Sequence, residues 1–172
     1  MADNPTHLDS DGTARMVDVS AKATTARQAA AHAFVYFSAD SFDSIRRGDN
    51  KKGDVLSTAR LAGIMGAKQT GQLIPLCHPI GLAHVDIEFA WLDQRHALAV
   101  RCSCRCSAQT GVEMEAITGA SIAALTVYDM VKGIDRAVHL GEFYVATKSG
   151  GKSGDWAHPA PPGPSIEGLD WR

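Results

Sequence analysis

The chain has 172 residues, 45% of them hydrophobic and 21% charged, which suits one ordered domain with its own core and excludes a disordered chain. A formal net charge of −2 argues against a nucleic-acid protein held by phosphate contacts, though a small anion needs only a local basic pocket. No apolar run reaches the roughly 18 residues of a membrane span. The opening Met1-Ala2-Asp3-Asn4-Pro5 lacks the basic and apolar regions of a signal peptide, so the expected compartment is cytoplasmic.

Residues 1–15 are polar and read as a flexible N-terminal arm. Met16-Val17-Asp18-Val19 is a short strand candidate, and 28–37 ends in aromatic and β-branched residues and reads as a strand. A short helix is predicted over 41–46, with Arg46 and Arg47 suiting its C-terminal end before Gly48. A second helix over about 54–70 follows from the 3.6-residue rhythm of Leu56, Ala59, Arg60, Gly63, Ile64 and Ala67, with Asp54 as N-cap. The preceding Lys51-Lys52-Gly53 is either a solvated turn or a phosphate contact. Two prolines make 73–80 a fixed loop.

Alternating runs at 84–91 and 97–106 predict two strands joined by a turn at Asp93-Gln94-Arg95. Cys102, Cys104 and Cys106 then share one face. Their spacing lacks the usual zinc pattern, and three thiols packed under a sheet is the reading adopted. A long helix is predicted over 111–134, a last strand over 142–147, and a Pro-rich flexible tail over 155–172. Hairpin and helices in this order give a single α+β domain over 16–154, an antiparallel sheet with helices packed on one face.

Ala146-Thr147-Lys148-Ser149-Gly150-Gly151-Lys152-Ser153 departs from a phosphate-binding P-loop only at its first residue. A P-loop must open a helix whose N-terminus faces the phosphates. Here Gly154, Asp155, Trp156 and a proline-rich stretch follow, so a nucleotide hydrolase is the minor reading. A basic loop closing over an anion competes with a plain solvated linker.

The long helix carries charges only at its ends: Glu113 and Glu115 at the start, Asp129 and Lys132 at the finish. Glu115 and Asp129 lie within about 40° of one face but about 21 Å apart along the axis. One small substrate cannot touch both in one helix, so a site using both must be completed by a second subunit. Asp129 and Lys132 are i,i+3 neighbours, either a surface ion pair or an acid/base couple. His78, in the proline-held loop, is either a structural histidine or a proton-transfer group. A zinc site with His84 finds no carboxylate motif to complete it.

Together the motifs resemble the MoaC family of molybdenum cofactor biosynthesis, the cyclic pyranopterin monophosphate synthases. The resemblance runs from about residue 7 to 154. It rests on Met16-Val17-Asp18-Val19, Lys51-Lys52-Gly53-Asp54-Val55-Leu56, Leu73-Ile74-Pro75-Leu76-Cys77-His78-Pro79, Gly111-Val112-Glu113-Met114-Glu115-Ala116, Tyr128-Asp129-Met130 and Lys148-Ser149-Gly150-Gly151-Lys152-Ser153-Gly154. Gly81, where a proline is common, and the cysteine-rich strand depart from the pattern at positions without a proposed role.

The resemblance implies a ferredoxin-like fold and a homohexamer, a trimer of dimers with sites between subunits. It implies a lyase that converts cyclised GTP, its ribose C3′ joined to C8 of the purine, to the cyclic pyranopterin monophosphate and pyrophosphate. Asp129 and Lys132 would be the catalytic pair. Leu76, Cys77, His78, Glu113, Met114 and Glu115 would contact substrate, and Lys52, Lys148 and Arg27 would neutralise its triphosphate. No resident cofactor or metal is implied; magnesium accompanying the triphosphate is compatible with it.

Overall fold

A computed structural model of the protein describes residues 11–152 and 154–172. Five strands form one antiparallel sheet in the order β2-β3-β1-β4-β5: β1 (Thr25–Tyr36), β2 (Leu82–Leu92), β3 (Ala97–Ala108), β4 (His139–Ser149) and the two-residue β5 (Trp156–Ala157). Helices α1 (Ala39–Arg47), α2 (Val55–Lys68) and the single turn α3 (Thr70–Leu73) link β1 to β2, and α4 (Glu113–Val131) links β3 to β4. Each crossover passes over an intervening strand, the connectivity of the ferredoxin-like α+β fold.

Local sequence sets the element ends. Asp54 caps α2, its carboxylate accepting from the Ser57 amide at 3.0 Å. Gly48 ends α1 at φ 83°, a left-handed position that glycine adopts without strain. The core lies between the sheet and the α2–α4 layer. Ala31, Ala33, Val35, Val100, Cys102 and Cys104 are buried from the sheet, and Ala116, Ala120, Ala123, Ala124 and Val127 from α4. The three alternating cysteines of β3 are buried thiols of this core, as their shared face predicts.

Glycine brings the helices close to each other and to the sheet. A Cβ on Gly119 would fall 2.5 Å from Cys102 Sγ, and one on Gly66 would fall 2.7 Å from Ile122 Cγ1. These are distances at which the neighbour must move.

Three expectations change. Met16-Val17-Asp18-Val19 forms no strand, because its carbonyls are used elsewhere: Val17 faces His78 and Val19 accepts from the Lys22 amide. α4 is shorter than 111–134, closing in a tight turn where the Ile134 amide bonds Val131 O. The flexible tail expected over 155–172 instead crosses the outer sheet face. Ile166, Leu169 and Trp171 pack on the cluster around Phe34, Ala99 and Tyr144. Trp171 stacks on the buried His32 ring and lies under the Arg101 guanidinium at 4.3 Å. Proline composition signalled mobility, but the three apolar side chains have a matching apolar floor. Of the arm expected over 1–15, residues 1–10 lie outside the described residues and 11–15 are exposed.

Deleting 165–172 is therefore expected to cost roughly 2–4 kcal/mol of lost apolar burial. Thermal denaturation reads this out. An unchanged melting temperature would mean that the segment contributes no packing.

Candidate functional site

The charged positions fall into two groups, one at each end of α4. At the N-terminal end, four pieces of chain converge: the 74–80 loop after α3, the 16–22 segment before β1, the 109–112 turn and the glycine-rich loop after β4. The first three enclose a cavity of about 360 Å³ whose lining includes Leu76, Cys77, His78, Glu113, Met114 and Glu115. A narrower polar cleft of about 160 Å³ adjoins it, lined by Arg27, Lys148, Gly150 and Lys22 among others. Glu113 and Lys22 border both spaces.

Lys148 Nζ meets Glu113 Oε1 at 2.9 Å, and Arg27 Nη1 donates to Gly150 O at 3.1 Å. Gly150 and Gly151 have φ 95° and 73°; a Cβ on Gly151 would lie 1.6 Å from Arg27 Nη1. The paired glycines thus allow the loop to lie directly on the guanidinium. The chain then continues into β5 rather than a helix, which removes the P-loop geometry.

Glu115 is 3% exposed, and its Oε2 has no hydrogen-bond partner among the described residues. Burial, with a lesser contribution from the Glu113 charge, raises its pKa above the ordinary carboxylate value. Burial and the Glu115 charge likewise push the Cys77 thiol up, leaving it a poor nucleophile at neutral pH.

An acid whose folded value lies above its unfolded one adds stability at low pH. That stability disappears as pH rises through the folded value. Glu115→Gln is therefore expected to melt above the parent chain at pH 7.5 by about 2–4 °C, corresponding to roughly 1 kcal/mol. The gain should shrink as pH falls through the raised folded value and be gone below the unfolded carboxyl value of 4.5. A gain that persists at low pH would assign the effect to packing instead.

At the C-terminal end of α4, Lys132 Nζ lies 2.6 Å from Asp129 Oδ1, and Lys52 Nζ lies 3.5 Å from Asp129 Oδ2. Lys52 also donates to the Asp129 carbonyl at 2.7 Å, and Asn50 Nδ2 to the Met130 carbonyl at 3.1 Å. The 48–54 loop is thereby tied to the end of the helix. The Lys132 hydrogen bond and charge, then the Lys52 charge, hold Asp129 below the ordinary carboxylate range; Asp129 in turn raises Lys132. Side chains about half exposed, 58% for Asp129 and 52% for Lys132, gain little stability from such pairing. The cluster is a preformed carboxylate and ammonium facing outward.

Within the chain Lys52 lies at the Asp129 end, apart from Lys148 and Arg27, with which the resemblance groups it around one triphosphate. Lys22 and the Val17 carbonyl, which both face the N-terminal cavity, escape sequence reasoning. Lys22 is the one cation between Arg15 and Arg27, a weak signal. A backbone acceptor leaves none. Among the described residues, no group of three His, Cys, Asp or Glu side chains is placed to hold a metal ion, and no helix is long and apolar enough to cross a membrane.

A ferredoxin-like α+β domain with a polar cleft at one helix end and a carboxylate–ammonium pair at the other is built to handle a small polar molecule. Residues 16–151 match the model of the MoaC family. The cyclic pyranopterin monophosphate synthase of Rhodopirellula baltica is 51% identical over 160 residues, covering 88% of this chain and 91% of the relative. That of Trichodesmium erythraeum is 51% identical over 153 residues, covering 89% and 92%. That of Nostoc sp. is 51% identical over 158 residues, covering 92% and 94%. The chain belongs to the MoaC family.

Proposed function

We propose that the protein is a cytoplasmic cyclic pyranopterin monophosphate synthase, acting on cyclised GTP. The observation that carries the reading is the division of polar residues between the two ends of α4, with each end offering half of what this reaction requires. The N-terminal cavity supplies Leu76, Cys77, His78, Met114 and Glu115 for the heterocycle and sugar, and the adjoining cleft supplies Arg27 and Lys148 for phosphate oxygens. The C-terminal pair supplies the proton transfers: Asp129 as ionised base, Lys132 as protonated donor.

Ring opening and reclosure need protons removed and returned at defined atoms. In the last stage a substrate hydroxyl attacks the α-phosphorus, its proton leaves to a base, and the P–O bond to pyrophosphate breaks. Cations on the departing oxygens stabilise that charge. The two halves meet only if α4 of one subunit presents its N-terminal end to the C-terminal end of α4 in its partner. The assembly proposed is the family's hexamer, a trimer of dimers. Lys52, carried with Asp129, would then reach the phosphates from across the interface.

The direct test incubates the protein with enzymatically prepared cyclised GTP and follows pyranopterin and pyrophosphate. Product formation without GTP hydrolysis is expected. No product, under conditions where an established family member works, would reject the proposal.

A further inference from the structure

His78 lines the N-terminal cavity, and its Nε2 sits 2.7 Å from the Val17 carbonyl oxygen. A carbonyl only accepts, so Nε2 must carry the hydrogen, and in the neutral ring the lone pair is then on Nδ1. Nδ1 has no hydrogen-bond partner among the described residues.

The segment bearing this carbonyl is fixed, although it belongs to no helix or strand. Asp18 Oδ1 accepts from the Ser20 amide at 2.9 Å, closing a turn over Asp18–Ser20 that begins directly after the Val17 carbonyl. The Lys22 amide bonds Val19 O at 2.9 Å, and Gln109 Nε2 donates to Ser20 O at 3.2 Å. Gln109 belongs to the turn that leads into α4. The segment therefore ties the histidine loop to the helix end that carries Glu113 and Glu115. Hydrogen bonding from Ser20 and attraction to His78 also keep the Asp18 carboxyl below its ordinary value.

We propose that residues Val17 to Ser20 position His78 for the reaction, the Val17 carbonyl fixing the Nε2-protonated tautomer so that Nδ1 serves the bound substrate as an acceptor. Asp18 is a positioning residue: its turn aims the carbonyl and its side chain touches no reacting atom. The inference rests on the function proposed above for its catalytic meaning, but the tautomer is a property of the resting protein.

The test is long-range ¹H–¹⁵N NMR of the full chain labelled in its histidines, with His78 assigned by the signals missing from His78→Gln. The parent protein is expected to show protonated Nε2 and bare Nδ1. Asp18→Asn, whose amide oxygen can still accept from Ser20, should retain that pattern. Asp18→Ala should give mixed tautomers and a kcat reduced about tenfold, with KM and melting temperature little changed. His78→Gln, which can donate to Val17 O but offers no basic nitrogen, should keep KM and lose kcat. A His78 protonated on Nδ1 alone in the resting parent overturns the proposal whatever the activity. So does an Asp18→Ala variant with parental tautomer and parental kcat.

Discussion

Equimolar mixing of Glu115→Gln with Asp129→Ala, each inactive alone, is expected to restore about a quarter of the parental turnover once subunits exchange. Half of all sites would draw an intact N-terminal end from one chain, and half of those an intact C-terminal end from another. Asp129→Ala should lose about 10²–10⁴-fold in kcat, the range for removing a positioned proton-transfer group, and Glu115→Gln about 10²-fold through misplacement of the bound substrate. Asp129→Ala should leave the melting temperature in place, because the carboxylate is half exposed and bonds only groups at the helix end. Native mass spectrometry would establish that mixed oligomers form. Mixed oligomers without recovered activity would show that the two ends do not share a site.

Gly119→Val is expected to lower stability by about 3 kcal/mol, or roughly 6–12 °C in melting temperature. The added Cβ would lie 2.5 Å from Cys102 Sγ and 3.2 Å from the Gly63 carbonyl oxygen. The thiol is fully buried in β3 and the carbonyl belongs to α2, so neither yields cheaply. Pairing Gly119→Ala with Cys102→Ala removes the sulfur and should recover part of the loss of Gly119→Ala alone, a favourable coupling between touching sites. A Gly119→Val protein that melts within a degree or two of the parent would disprove the close approach. The displacement also concerns the site, since α4 carries both charged ends.

Periodicity located the helices and strands because burial imposes it. Cys102, Cys104 and Cys106 announced their common face, and Asp54 announced its helix. The ends of α4 were placed less well, since Gly111 and Ile134 continue its composition while their backbone turns away. The tail was misjudged because proline content reports local stiffness and says nothing of a distant apolar floor such as Phe34 and Ala99. In the site, helix geometry alone showed that Glu115 and Asp129 stand apart. Motifs supplied the remaining side chains without saying which would meet. The place of Lys52 beside Asp129 within its own chain is one such meeting, set by how the 48–54 loop docks on α4. The Val17 carbonyl is common to every residue type and carries no mark in sequence.

The sheet has two edges, and the last 18 residues of the chain reach both. Trp156–Ala157 pairs with β4 at one margin, and Arg172 exchanges two backbone hydrogen bonds with Phe89 of β2 at the other. Beside Phe89, Arg60 of α2 donates to the Ile87 carbonyl. Unpaired strand margins are templates on which further strands grow, and here the middle of β2 and the C-terminal end of β4 are already occupied. Copies of this chain are thus discouraged from zipping into a continuous sheet or an open-ended fibre. A closed assembly built through side chains, as the shared site proposed above requires, leaves both of these margin contacts in place.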